Sequence, residues 1–170
     1  MWIMDENTEK ILAELHYDFR RFTIGGFLAS VGENKGREII ATPWPMPRKI
    51  FGAWLSDDEE PREYIFYRDN VPVIHQIHIQ LHELAHFLLQ HPTLRINQKL
   101  IAEVLDGQTS LPFGDSLKLR SPNQNPIEKE AEELADLIQR QVIENLQLAQ
   151  LSQSTSQRTL ADFLKQIGGV

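Results

Sequence analysis

His82-Glu83-Leu84-Ala85-His86 is the stretch on which the reading of this chain turns. Two histidines four apart lie about one turn apart on a helix of ~3.6 residues per turn, so both rings leave one face and can hold the same metal ion. Glu83 stands beside them, placed to take a proton from a water acidified by the ion and to pass it to a leaving amine. The pattern carries this meaning only on a helix, and the flanking sequence predicts one over 73–90. Ile74, Ile77, Leu81, Leu84, Ala85 and Leu88 give it a buried apolar body, Asp69-Asn70 and Pro72 mark its start, and His91-Pro92 ends it.

A catalytic zinc needs a third protein ligand and an open position. The chain has no cysteine, so that ligand must be another histidine or a carboxylate. His75 and His78 share the face of His82 and His86, but a ligand further up a straight helix moves away from the ion; they read as packing or cleft-edge residues. His91 reads as a helix-end residue facing backbone carbonyls. The carboxylates Glu128, Glu130, Glu132 and Glu133 lie in Asn125-Pro126-Ile127-Glu128-Lys129-Glu130-Ala131-Glu132-Glu133-Leu134-Ala135-Asp136. Such a charge run is ordinarily a solvated helix face. Here Ala131 and Ala135, small and four apart, allow close packing on another helix, and Glu128 and Glu132 lie near that stripe, so either can face the metal.

Outward from these two helices, the pattern predicts helices over 8–22 and from Thr23 to Val31, the second stopping near Gly32, and a strand over 37–41. Pro43, Pro45 and Pro47 interrupt regular structure, and strands follow at 51–55 and 63–67, joined by an acidic turn with Pro61. A helix from about Asn97 to Leu105 leads into a polar loop, Gln108 to Pro126. A helix from Ile127 to about Leu151 and a short last helix over 160–167 complete the chain. The expected fold class is α+β, a small, mainly antiparallel three-stranded sheet packed on the active-site helix and further helices. One domain spans 1–151, with N-terminal helices in 1–35, sheet and active-site helix in 36–95 and the third-ligand helix over about 126–151; a tail occupies 152–170.

Composition narrows the function classes. A hydrophobic fraction of 41% suits a chain that buries a core, and a net charge of −7 with a pI near 5.3 repels phosphate backbones, so nucleic acid is not expected as the main ligand. The opening Met1-Trp2-Ile3-Met4-Asp5-Glu6 lacks the basic region and apolar run of a secretory signal, and no apolar stretch is long enough to span a bilayer. Cytoplasmic residence without membrane association is the expectation.

The pair of helical motifs resembles the ImmA/IrrE family of metallopeptidases, in which a His-Glu-x-x-His helix is followed by a helix with Glu-x-Glu-Ala-x-x-x-Ala. The matching residues are His82 to Leu89 and Glu128 to Ala135, and the likeness spans roughly 36–140, including the strands between Gly52 and Tyr67. The resemblance implies Zn2+ held by His82, His86 and Glu128, with Glu83 as the catalytic base. Glu132 falls where the family often has Asp or Asn supporting a ligand histidine. The family's usual Leu-Leu-Met-Pro is replaced here by Leu137-Ile138-Gln139-Arg140. The implied activity is endoproteolysis of a protein regulator, such as a helix-turn-helix repressor, in response to a stress or mobile-element signal. The competing expectation is a metal-bound module that grips a regulator or toxin partner without cutting it. Tyr64, Tyr67 and His78, near the motif in sequence, are the candidates for steadying the oxyanion or the substrate. The strand from Glu63 to Tyr67, if it is the sheet's edge, is the expected docking edge for an extended peptide.

Overall fold

The computed structural model describes residues 6–111, 125–152, 165, 167 and 168. Its first helix, α1 (Glu6–Glu14), is shorter than the predicted run. The chain turns at His16, whose φ of 49° is left-handed, and the Asp18 side chain then accepts the Arg20 N–H to cap a single 3-10 turn, Phe19–Arg21. Packing accounts for the break. The turn brings Tyr17, Phe19 and Phe22 inward against Phe27, with ring centroids 4.8, 5.6 and 5.7 Å from it.

Helix α2 (Ile24–Lys35) starts where Thr23 Oγ1 accepts the Gly26 N–H at 3.0 Å and stops at Gly36, which has a left-handed φ of 66°. It runs past Gly32 because that glycine is a contact and not a break. A Cβ there would lie 2.5 Å from the Arg37 carbonyl oxygen, where the chain returns as β1 (Glu38–Pro43). Then come β2 (Gly52–Asp57), β3 (Arg62–Tyr67), α3 (Val73–Leu88), β4 (Leu94–Ile96), α4 (Gln98–Leu105) and α5 (Asn125–Ser152). The loop expected over 108–126 and the short helix over 160–167 lie for the most part outside the described residues; Asn125 and Pro126 already belong to α5.

The fold is mixed α/β, and its sheet has four strands in the order β1-β3-β2-β4 in place of the mainly antiparallel three expected. Only β2 and β3 pair antiparallel; β1–β3 and β2–β4 are parallel. The proline-rich segment 43–51 is the reason. It carries the chain from β1 past the end of β3 to that strand's far side, anchored by the Trp44 N–H on the Tyr67 carbonyl at 2.9 Å. At three residues, β4 is too short to show an alternating pattern; Thr93 Oγ1 bonds the Trp54 carbonyl at 2.6 Å where it begins. This order also corrects the edge assignment, since β3 is interior and the outer strands are β1 and β4.

Strand alternation divides the sheet's two faces. Ala53, Leu55, Tyr64 and Phe66 pack with Ile101 and Val104 of α4 on one side, while Ile65 joins Leu81, Leu84, Leu134 and Ile138 on the other. Ala131 and Ala135 are fully buried, and their small side chains let α5 lie close along α3. That close approach brings the carboxylates of α5 to the histidines of α3. No helix among the described residues is long and apolar enough to cross a membrane.

Candidate metal centre

His82 and His86, one turn apart on α3, direct their Nε2 atoms toward each other at 3.1 Å. Glu128, from the first turn of α5, places Oε2 3.2 Å from His82 Nε2 and 3.5 Å from His86 Nε2. The three donor atoms lie within 4.8 Å of one another and form a group that could hold a metal ion. His78, Glu132 and Asp136 form a second such group alongside, and Glu132 links the two.

The outer nitrogens of the two imidazoles are also engaged. His82 Nδ1 lies 2.8 Å from Glu132 Oε2, and the other oxygen of that carboxylate is 3.0 Å from His78 Nε2. His86 Nδ1 lies 2.9 Å from His91 Nδ1, and His91 Nε2 lies 3.2 Å from Glu130 Oε2. A carboxylate only accepts, so His82 Nδ1 must carry the proton that faces Glu132, which turns the Nε2 lone pair of the neutral ring inward. Three acceptor atoms meet at this spacing, and a proton shared among them eases the contact. His82 is the ring disposed to carry it: burial pulls its pKa down, but Glu128, Glu83 and Glu132 outweigh burial and hold it above the ordinary histidine value. A divalent ion satisfies the same three lone pairs, so the donor chemistry fits one.

Glu83 is 3% exposed and faces β2 from the α3 side. A Cβ at Gly52 would lie 3.0 Å from both its Cγ and its Oε1, so the glycine makes the space this carboxylate occupies. Glu83, His82, Glu128, Glu132 and His78 line one cleft of about 500 Å³ with Gly52, Phe51 and Ile79, a size that admits a small segment of substrate.

Of the residues singled out from sequence, His82, His86, Glu128, Glu83, Glu132 and His78 therefore meet in one place. Tyr64 and Tyr67 do not. Alternation sends Tyr64 to the opposite face of the sheet, where its hydroxyl bonds Asp57 at 3.2 Å, and Tyr67 lines a separate groove with Ile24, Leu28 and Ile77. His91 was missed as a partner of the site, and Glu130, one of the candidate carboxylates, reaches it only through His91. His91, read as a helix-end residue facing carbonyls, instead turns its ring onto His86. A signal existed in its position just past the helix that carries His86, but only the turn geometry shows that the chain doubles back.

Comparison of the chain with family models, curated proteins and solved structures gives no match in any of the three.

Proposed function

We propose that this chain is a zinc-dependent endopeptidase acting on a protein regulator, with the ImmA/IrrE-like motifs as its catalytic apparatus. The observation that carries this reading is the meeting of His82 Nε2, His86 Nε2 and Glu128 Oε2 beside the buried Glu83, in a cleft open enough to admit a chain. The ion would supply Lewis acidity, polarising a carbonyl and bringing the pKa of water down to about 7. Glu83 takes the proton of the attacking water and returns it to the departing amine, and Gly52 and Ile79 hold it in place against β2. His78 stands at the cleft wall with Nδ1 on Gln139 at 2.8 Å and Nε2 on Glu132 at 3.0 Å, so it would serve a developing oxyanion or a substrate carbonyl only by exchanging the Glu132 contact for it.

The peptide's track lies along β2, not β3. Strand β4 pairs only with Leu55–Asp57, so the Gly52 end of β2, beside Glu83, has no strand on that flank among the described residues. An extended peptide there would read backbone, and selectivity would come from side-chain pockets such as that beside Ile50, Phe51 and Ile79.

The test compares wild type and Glu83→Gln on three substrates: a helix-turn-helix repressor encoded beside this gene, casein, and short peptides. Zinc-dependent cutting of the repressor at one bond, with Glu83→Gln retaining zinc but slowed by roughly 10²–10⁴, supports the reading. Equal cutting of all three substrates makes it a general peptidase. If wild type and Glu83→Gln are both inert yet bind the repressor equally and tightly, the non-cutting module replaces the enzyme.

A further inference from the structure

Beyond the ligands themselves, the two histidines are braced differently. His82, partly exposed, meets the carboxylate of Glu132 directly, whereas His86 has no accessible surface and meets a second imidazole. The backbone after α3 creates that contact. Leu89 caps the helix and Gln90 takes a left-handed φ of 56°. The Gln90 N–H then bonds the Phe87 carbonyl at 3.1 Å and the His91 N–H bonds the His86 carbonyl at 3.0 Å. This is the paired hydrogen-bond pattern of a Schellman turn, which folds the chain back over the last helical residues. It lays the His91 ring against that of His86, centroids 5.0 Å apart.

We propose that His91 is a positioning residue that, with Glu130, fixes His86 in its metal-binding tautomer before any ion arrives. The inference rests on reading His82, His86 and Glu128 as metal ligands. The proton order follows from one end. Glu130, an acceptor only, requires the proton of His91 on Nε2, 3.2 Å away. The Nδ1 of neutral His91 is then a lone pair, and at 2.9 Å it requires a proton on His86 Nδ1. His86 Nε2 is left as a lone pair aimed at His82 and Glu128. With a neutral His91 the row has one direction, from Glu130 to the metal position.

Burial explains why the row contains an imidazole. A carboxylate set directly against His86 on its inner, Nδ1 side, away from the cleft where Glu128 sits, would be stripped of water, a costly place for a charge. With the neutral ring of His91 between them, the Glu130 side chain remains 49% exposed while still directing the tautomer. His82, nearer the cleft mouth, needs no such spacer.

The test uses the full chain, purified metal-free, with three readouts. Nitrogen-15 NMR assigns the histidine tautomers, competition with a coloured chelator gives Zn2+ affinity, and the absorption of the Co2+ form reports ligand geometry. In wild type the His86 proton is expected on Nδ1. His91→Phe keeps a buried ring but offers no acceptor; it should release the tautomer, weaken Zn2+ binding roughly 10–100-fold and change the Co2+ spectrum. His91→Asn, whose carbonyl oxygen can stand near the Nδ1 position, should recover most of the affinity, which a merely space-filling role would not predict. Glu130→Ala should weaken binding in the same direction by less, and decides the matter if His91→Phe does not fold. A His86 proton found on Nε2 in wild type, or equal affinity and spectra in wild type and both His91→Phe and Glu130→Ala, overturns the proposal alone. Failure of wild type to bind Zn2+ overturns the ligand reading with it.

Discussion

Two polar groupings in this fold obey opposite rules. In the sheet, Glu63 is 2% exposed and receives donors from every side: the Arg37 guanidinium, the Trp54 indole N–H at 2.6 Å and the Ser56 hydroxyl at 3.0 Å. Asp57, 1% exposed, accepts from the Glu59 and Glu60 N–H groups, the Tyr64 hydroxyl and Gln98. In the cleft, the acceptors His82 Nε2, His86 Nε2 and Glu128 Oε2 face one another. The sheet carboxylates are complete as they stand. In the cleft three lone pairs converge on one point, an arrangement suited to a cation, and convergence of acceptors against a ring of donors separates a candidate site from a structural network.

Substitutions should split along this line. The largest effect expected is the loss of essentially all bound zinc in His86→Ala and Glu128→Ala, against about one ion per chain in wild type, read by metal analysis of the purified proteins. Full occupancy in Glu128→Ala with loss in Glu130→Ala would move the third ligand by two positions along α5. Glu63→Ala should do the reverse, leaving zinc stoichiometry intact while costing ~2–4 kcal/mol in denaturant unfolding, because it strands the buried Trp54 donor and removes a partner of part-buried Arg37. Zinc loss in Glu63→Ala without destabilisation would erase the distinction.

Gly52→Ala tests the boundary between the two, since β2 belongs to the sheet but Gly52 borders the cleft. The added methyl has to displace Ile79 and Glu83, for a stability cost of ~1–3 kcal/mol. A larger cost is expected in turnover, with zinc retained. Unchanged turnover would show that the position of Glu83 is not critical. For Asp57 the readout is pH. Burial pushes its pKa up, but the backbone N–H groups of Glu59 and Glu60, with Tyr64 and Gln98, together hold it below the ordinary value of 3.8. Its contribution to stability is therefore full above the unfolded pKa and lost as pH falls through the lower folded one. Wild type should lose stability more steeply than Asp57→Asn on acidification through that window; parallel unfolding curves would deny the carboxylate this role. The smallest effect is expected of Gln90→Gly, a gain of about 0.5–1 kcal/mol from relieving a left-handed side-chain residue, with zinc affinity unchanged because the turn persists.

What could be read in the sequence follows the range over which each signal acts. The spacing of His82, Glu83 and His86 is a local matter of helix pitch, and the α3 that holds them is where the apolar pattern predicts it. Glu128 was one of several carboxylates until the family likeness singled it out, and the residues alone went no further than the Ala131–Ala135 stripe. Tyr64 and Tyr67 illustrate how closeness in sequence misleads, because strand alternation and position along α3, not chain distance, decide what reaches the metal cleft. The interior place of β3 depends on where segment 43–51 carries the chain, and proline content alone does not reveal the direction of that crossing. His91 escaped for a related reason. Its partnership depends on one left-handed residue that is a glutamine, where a glycine would have announced the turn.

The placement of Glu128 on a different helix from the two histidines gives an ion held there a mechanical consequence. It would staple α3 to α5 across the stretch of chain between His86 and Glu128, in a protein with no cysteine to form a disulfide. Closing a loop of that length removes freedom from the unfolded chain, on the order of 3–4 kcal/mol by the same reasoning applied to covalent cross-links. Chelation would then loosen the fold as well as empty the site, and thermal melting with and without a chelator would show the cross-link as a shift in Tm that Glu128→Ala lacks.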